Sequence, residues 1–288
     1  MPDTTESEFI GIEPLEFLWA SSEQIVNRVE QIPFKEARRL LADLCFRRIM
    51  LMTLTFLRWN PFSTFFPANG HWDLPSSAAI ARCIMETYLR MYYFGVEQVS
   101  DAEGRFRALL SDYHAQFQQL EIATDTRLPA ELLAPLQAMR DSTRASLEQN
   151  EHFQSLRQKW REKLIKEPSW LKIPDISQRA GISPGYHHSS YEFCSSFIHG
   201  SLYAMQLTER ANPQTDEGKR FFKRLADIVC GYVALAVRDF KEVFPELPPL
   251  DPRLVLLGAF WSIAVRWETT PGFDEIRRVA HDLEHPNP

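Results

Sequence analysis

The sequence lacks the features that identify several large classes of protein. None of its four cysteines takes part in a CxxC or CxxH motif, so neither a zinc site nor a disulfide framework is predicted. There is no glycine-rich phosphate loop of the Walker or dinucleotide type. The longest apolar runs, residues 49–57 and 254–265, are too short to cross about 30 Å of hydrocarbon. We therefore expect a soluble protein with no metal, no cofactor and no membrane partner.

An excess of positive charge is also absent. The net charge is −6 over 288 residues, so no long-range field attracts nucleic acid or an anionic membrane. The first residues, MPDTTESEF, are acidic and polar, unlike a signal peptide. The isolated cysteines are expected to be small core thiols, which suits a reducing compartment. Together these features predict a cytoplasmic protein.

What the sequence does contain is helical periodicity along nearly its whole length. The predicted fold is all-α, a multi-helix bundle with a C-terminal helical extension. One long helix is expected over residues 217–244. We predict that residues 1–244 form the bundle and that residues 245–288 pack on it, with the proline-rich segment at 245–252 as the seam.

One segment, residues 78–94, predicts a helix that is apolar on almost every side. Its three charged residues, Arg82, Glu86 and Arg90, are spaced four apart and therefore lie in one narrow stripe. Such a helix is normally central, and an unpaired buried charge is costly. The stripe should therefore face polar partners on another helix.

A second helix of the same design is expected from Ser189 or Ser190 to Leu207. Tyr191, Ser195 and His199 follow one another at intervals of four residues, and Ser196 flanks them on the same side. Two polar stripes on buried helices are best satisfied when they face each other. We therefore predict that Glu86 bonds to His199, that Arg82 supports this carboxylate, and that Ser195 or Tyr191 completes a buried pocket.

Two interpretations of this pocket are open. The Glu86–His199 pair can be a structural clamp between core helices. It can also be functional, because perturbed ionisable groups gathered in one place suit acid–base chemistry. In the catalytic interpretation His199 is the general base, Glu86 orients it, and Arg82 binds an anion or a developing charge.

The two motifs resemble a known family. A-R-x-x-x-E, here at residues 81–86, and Y-x-x-x-S-x-x-x-H-G, here at residues 191–200, are similar to motifs of a bacterial all-helical family known only as a domain of unknown function. The likeness spans roughly residues 35–210. The resemblance implies a helical bundle, a bacterial source and a role in a stress or defence system. It supplies no established activity.

A metal-independent ribonuclease of the HEPN type is the main enzymatic alternative. That class uses R-x4-6-H on one helix, a pattern that Arg107 and His114 fit, and so do Arg278 and His285. Ala108 replaces the polar residue that commonly follows the arginine in that class. An exposed helix face is the simpler interpretation of Arg107 and His114.

Two weaker alternatives remain. Residues 176–185, ISQRAGISPG, resemble the helix-turn-helix of bacterial repressors, but residues 182–206 contain no Lys or Arg for phosphates. His281 and His285 with Glu284 have the spacing of metal ligands, without an evident third partner.

The leading functional hypothesis is a binding module that recognises a protein or a small molecule through the Arg/Glu/Ser/His pocket. The ribonuclease or another hydrolase is the alternative, a DNA-binding regulator is the third, and a homodimer is left open. Nucleic acid is expected as a partner only in the last two classes. The aromatic loop at residues 60–75 is expected to cap the bundle or to serve as a lid or partner surface.

Overall fold

The computed structural model describes residues 12–66, 72–166 and 173–267. These residues form twelve α-helices and a short π-helical segment and contain no strand, which confirms the all-α multi-helix prediction. No helix within these ranges is both long and apolar enough to cross a membrane. The helices are α1 (Glu13–Val29), α2 (Ala37–Trp59), α3 (Leu74–Met91), α4 (Asp101–Asp125), α5 (Ala130–Gln149), α6 (Glu151–Ser155), α7 (Gln158–Lys166), α8 (Ile173–Arg179), α9 (Pro184–Ile198), α10 (Leu202–Arg210), α11 (Asp216–Val243) and α12 (Pro252–Trp267).

The chain divides into two compact units. The first unit contains α1, nearly all of α2, α3 and the helices α8 to α12. The second unit contains α4 to α7 together with residues 36–38. Helix α12, which follows the proline-rich segment, belongs to the first unit.

Helix α11 forms the centre of the first unit. Every residue from Leu225 to Val237 is buried, and α1, α3 and α12 all pack against it. The sequence analysis placed the most central helix at residues 78–94, but α3 has an exposed side that includes Cys83 and Arg90. The hub is therefore α11, because its apolar positions cover its whole circumference for more than three turns.

Close packing around α11 depends on a glycine. A Cβ atom at Gly231 would lie 3.0 Å from the ring of Trp261 on α12 and 3.2 Å from the hydroxyl of Tyr186 on α9. The absence of a side chain lets both helices approach the same point of α11. On another side of α11, Phe240 stacks on Phe46 of α2 with a centroid distance of 4.0 Å.

Helix α9 begins and ends earlier than predicted. It begins at Pro184 because Ser183 accepts a hydrogen bond from the backbone N–H of Tyr186, which makes Ser183 the N-cap rather than Ser189 or Ser190. It ends at Ile198 because Gly200 adopts a positive φ of 57°. The predicted single helix to Leu207 is therefore wrong: Ser201 caps a separate helix, α10.

The second unit is built around the pair formed by α4 and α5, which α6 joins. Its core consists of six buried apolar side chains: Phe106, Leu110, Tyr113, Leu147, Phe153 and Leu164. Asn150 links its elements, since its side-chain oxygen caps α6 and its amide nitrogen donates to the carbonyl of Ala102 at 3.1 Å. Capping and cross-linking by one side chain fix the α5–α6 junction.

A buried carboxylate holds the aromatic loop against α1. Glu16, only 5% exposed, accepts hydrogen bonds from the hydroxyls of Ser63 and Thr64 and from the backbone N–H groups of Thr64 and Phe65. The ring of Trp72, farther along the loop, packs edge-on against Phe222 of α11. These parts of the loop therefore fold back onto the first unit, and residues 67–71 lie outside the described ranges.

We expect Glu16→Gln to lower the free energy of unfolding by about 2 kcal/mol at pH 7, because charge-assisted hydrogen bonds to the loop are lost. Burial alone raises the pKa of the Glu16 carboxyl, but the hydrogen bonds from Thr64, Ser63 and Phe65 lower it below its ordinary value of 4.5. A depressed carboxyl pKa stabilises the fold above the unfolded pKa, and this contribution is lost as pH falls through the folded pKa.

Urea unfolding at pH 7 and at pH 3 measures this effect. The difference between the parent protein and Glu16→Gln should shrink at the lower pH. Glu13→Gln is the matched control, since Glu13 is an exposed acidic residue in the first turn of the same helix. Equal losses for the two variants at pH 7 would show that Glu16 does not hold the loop.

Candidate functional site

Polar side chains of α3 and α9 meet at one edge of the first unit's core. Arg82 and Glu86 form an ion pair with an Nε–Oε1 distance of 2.9 Å. The guanidinium of Arg82 lies over the ring of Tyr191, with Cζ 4.5 Å from the ring centroid, and its Nη2 donates to the Tyr191 hydroxyl at 2.5 Å. That hydroxyl lies 3.5 Å from Oε1 of Glu86. We call these three residues the α3–α9 cluster.

The local geometry of the cluster follows from helix periodicity. Residues four apart face the same way, so Arg82 and Glu86 pair along α3 without help from another element. Tyr191 adds the tertiary contact, because a tyrosine offers an aromatic face to the cation and a hydroxyl to its N–H groups. The predicted meeting of the two polar stripes therefore occurs, with Tyr191 as the contact residue on α9.

The α3–α9 cluster lies at the boundary between core and solvent. The side chains of Arg82 and Glu86 are 21% and 27% exposed. Burial lowers the pKa of Arg82, but the hydrogen bond to Glu86 and the nearby Tyr191 and Glu86 oxygens raise it above its ordinary value. Arg82 is therefore a permanent cation at this position.

Part of the cluster's hydrogen-bonding capacity is unused. Of the five N–H donors of a guanidinium, Arg82 commits one on Nε and one on Nη2, and no described residue accepts from its Nη1. The bonds to Glu86 both end on Oε1, which leaves Oε2 without a partner in the described part of the chain. The paired side chains of Arg82 and Glu86 thus each keep unused hydrogen-bonding groups, and both are partly exposed to solvent.

His187 is the histidine beside this cluster, although the sequence analysis did not select it. It is buried on α9, its ring lies 5.8 Å from that of Tyr191, and its Nδ1 lies 3.2 Å from the hydroxyl of Tyr232 on α11. Burial lowers the pKa of His187, the neighbouring His188 lowers it further, and Glu86 partly opposes this. The spacing His187-x-x-x-Tyr191 continues the polar stripe toward the N-terminus and could have identified it.

His199 lies elsewhere. It is the exposed C-cap of α9, and no hydrogen bond joins it to Glu86 among the residues that the structure describes. The predicted Glu86–His199 pair is therefore a wrong prediction. Its physical reason is the helix break at Gly200, which leaves His199 in the terminal turn, away from the α3 contact.

The other predicted pocket residues do not join the cluster in the same way. Ser195 is buried, and its hydroxyl has no hydrogen-bond partner among the described residues. Ser196 donates to the carbonyl of Phe193 in its own helix. Arg90, one turn beyond Glu86, is exposed. The predicted pocket therefore reduces to Arg82, Glu86 and Tyr191.

A buried polar network lies deeper in the same unit. Tyr88 of α3 donates to Oδ2 of Asp239 at 2.8 Å, and Arg238 pairs with Oδ1 of the same carboxylate at 2.6 Å. Arg238 also donates to the hydroxyl of Ser262 on α12. The network joins three helices and satisfies a carboxylate that is 1% exposed. Tyr88 and Ser262 are far in sequence from the adjacent pair Arg238 and Asp239, so no local pattern predicted the network.

The ribonuclease pair falls in the second unit. Arg107 is 2% exposed and is paired with Glu97 at 2.7 Å and with Glu103, so it is not on the exposed face that the simpler interpretation expected. A guanidinium buried between two carboxylates is poorly placed to bind a phosphate. His114 lies half-buried two turns farther along α4. The geometry gives this alternative no support.

The helix-turn-helix alternative can also be compared with the structure. Residues 173–179 form α8, Gly181 has a φ of 75°, and the following helix is α9. Helix α9, which would be the recognition helix, packs against α3 within the first unit. The local pattern is therefore a helix stop and a turn into a core helix.

The described cysteines differ in burial. Burial raises the pKa of Cys45 to about 11 and that of Cys194 to about 12, and Cys230 is raised as well. Cys83 is exposed, contrary to the core position expected for it.

No group of three or more potential His, Cys, Asp or Glu metal ligands occurs within residues 12–66, 72–166 and 173–267. The predicted pairs Arg278–His285 and His281–His285, with Glu284, lie outside these ranges.

Comparison with known proteins adds no further constraint on the site. No protein-family model, no curated protein and no solved structure matches the chain. The resemblance to a bacterial helical family stays a prediction.

We expect the Arg82–Glu86 pair to be more strongly coupled than an ordinary surface pair. A double-mutant cycle with Arg82→Met and Glu86→Gln should give about 1 kcal/mol, because Tyr191 holds the guanidinium in place. Arg144 and Glu148 are the matched control, since they have the same i,i+4 spacing and the same 2.9 Å Nε–Oε1 distance. Their coupling should be about 0.3–0.5 kcal/mol. Equal coupling energies would contradict the tertiary contribution of Tyr191.

His187 should titrate with a midpoint below its ordinary value of 6.5. Glu86→Gln should lower this midpoint further, because the carboxylate that favours the imidazolium is removed. NMR titration of the imidazole protons measures both, and Glu192→Gln, an exposed change on the same helix, is the control. Since the folded pKa is depressed, the contribution of His187 to stability is full above pH 6.5 and decreases below it. If Glu86→Gln leaves the titration midpoint of His187 unchanged, the Glu86 carboxylate does not act on the His187 imidazole.

Proposed function

We propose that this protein is a helical binding module and that the α3–α9 cluster is its recognition site. The observation that supports the proposal is the partly exposed Arg82–Glu86 pair, in which Arg82 keeps unused N–H donors and Glu86 keeps an unused carboxylate oxygen, Oε2. A group that presents a carbonyl oxygen next to an N–H is complementary to this pair. Amides have that arrangement, whether they belong to a small molecule or to a peptide.

Binding at this pair needs little reorganisation of the protein. The Arg82 guanidinium is already held by Glu86 and by the ring and hydroxyl of Tyr191. A ligand therefore does not have to immobilise a long side chain, a cost of about 0.5–1.5 kcal/mol for each flexible residue. Two hydrogen bonds to charged groups, each about 1.5–3 kcal/mol, suit a weakly to moderately bound ligand.

The cluster is better suited to binding than to turnover. Its cation and its carboxylate are already paired with each other, and no described histidine is hydrogen-bonded to the pair. His187 contacts the buried Tyr232 hydroxyl on its Nδ1 side, and its ring lies 5.8 Å from that of Tyr191. The hydrolase alternative relied on His199 beside Glu86, an arrangement that this geometry does not provide.

Benzamide is a suitable probe for the test. Titrated into the ¹⁵N-labelled full chain, it should produce saturable NMR shifts at residues around Arg82 and Tyr191. N,N-dimethylbenzamide keeps the carbonyl but lacks the N–H, and it should bind about tenfold more weakly because Oε2 of Glu86 then has no donor. The benzamide should be recovered unchanged after incubation.

The variants separate the cluster from non-specific binding. Arg82→Met should abolish the shifts, whereas Arg144→Met, which breaks the matched ion pair in the second unit, should leave them intact. The proposal fails if benzamide causes no saturable shifts at the cluster, or if Arg82→Met binds as well as the parent protein. Conversion of benzamide to benzoate that depends on Glu86 would identify a hydrolase instead.

A further inference from the structure

A second concave site lies in the first unit, between α1 and the proline-rich segment that precedes α12. The groove has a volume of about 290 Å³. Phe17, Ser21, Ile25 and Arg28 of α1 line one wall, and residues 247–251 with Arg253 line the other. This volume is at the lower limit of small-molecule sites, which are typically about 300–1,000 Å³. None of these residues takes part in the α3–α9 cluster.

The proline-rich wall of the groove is stiff. Pro248 and Pro249 have their φ angles fixed by their rings, so this wall has little conformational freedom. The side chains of Leu247 and Ile25 are buried beneath it and provide an apolar floor. An apolar group that enters the groove therefore meets a surface that is already formed.

One of the two arginines in the groove is held in place. Arg253 lies over the ring of Phe17, with Cζ 4.3 Å from the centroid. Its Nε and Nη2 donate to the two carboxylate oxygens of Asp251 at 3.2 and 3.1 Å. Its Nη1 donates to no described residue. The guanidinium is thus oriented while part of its donor capacity stays unused.

The other arginine has no acidic partner among the described residues. Arg28 is exposed near the end of α1, and no described residue accepts a hydrogen bond from its guanidinium. Among the described residues that line the groove, Asp251 is the only acidic one, and it is already bonded to Arg253. Two arginines and one aspartate give the described lining a net charge of +1. The unbalanced charge therefore belongs to Arg28.

We propose that this groove binds a small organic monocarboxylate that has an aromatic or branched aliphatic body. The carboxylate oxygens accept from Arg28 and from Nη1 of Arg253, and the apolar body packs on Ile25 and on the proline-rich wall. One negative charge on the ligand balances the single unbalanced positive charge, and guanidinium–carboxylate bonds are strong and directional. The proposal is independent of the function proposed for the α3–α9 cluster.

3-Phenylpropionate is the probe, and 3-phenyl-1-propanol is its uncharged counterpart. Added to the ¹⁵N-labelled full chain, the acid should cause saturable NMR shifts in residues 17–28 and 247–254. The alcohol should bind at least about tenfold more weakly, because it cannot form the charge-assisted bonds. Equal binding of the two compounds would overturn the role of charge, and absence of saturable shifts in the groove would overturn the site.

Three variants make the assignment specific. Arg28→Gln should weaken 3-phenylpropionate binding by about tenfold, whereas Arg58→Gln, at an exposed arginine of α2 outside the groove, should not change it. Ser21→Leu keeps both arginines but fills the groove from a half-buried helical position, so it should prevent binding with an unchanged thermal transition.

Arg82→Met distinguishes this site from the α3–α9 cluster. It should abolish the response to benzamide and leave the response to 3-phenylpropionate intact. If Arg28→Gln or Ser21→Leu binds 3-phenylpropionate like the parent protein, or if Arg82→Met abolishes that binding, the groove is not the carboxylate site.

Discussion

Helix α11 can be buried over most of its length only if its few polar groups find partners inside the protein. Removing its large apolar side chains from water contributes about 1.5–3 kcal/mol for each of them. An unpaired Asp239 would offset several such contributions. Tyr88 and Arg238 satisfy this carboxylate, and Arg238 also reaches Ser262. The same bonds attach α3 and α12 to α11, so the pairing of one buried charge organises three helices.

The position of the α3–α9 cluster follows from that arrangement. Helix α3 places Tyr88 against α11, so residues on its other sides, among them Arg82 and Glu86, reach α9 and the solvent. The cluster therefore has rigid support on its inner side and water on its outer side. Desolvation is only partial there, which lets a cation and a carboxylate keep unused hydrogen-bonding groups without a large energetic cost. Sites of this kind suit reversible recognition.

Sequence reasoning predicted the meeting of the two helices but chose the wrong histidine. The four-residue spacing identified Arg82, Glu86 and Tyr191 correctly as residues of facing stripes. It also extended the second stripe to His199, because the helix was expected to continue through Gly200 to Leu207. His187, one turn before Tyr191, was missed because the helix was expected to begin only at Ser189 or Ser190. The error at the C-terminal end has a physical source: a glycine in a polar–apolar pattern is compatible with a continuing helix or with a helix end until its φ angle is known.

The sequence by itself determined the all-α class, the long helix at residues 217–244 and the pairing of Arg82 with Glu86, since all three depend on helical periodicity within a few turns. Only the tertiary structure decided that α11 is the hub, that Tyr88 meets Asp239, that Arg107 is buried and that His187 lies beside the cluster. Such contacts join residues up to 151 positions apart. These contacts depend on where each helix ends and on how packed helices are rotated against each other. The spacing of residues along the sequence does not determine the helix ends or the rotation.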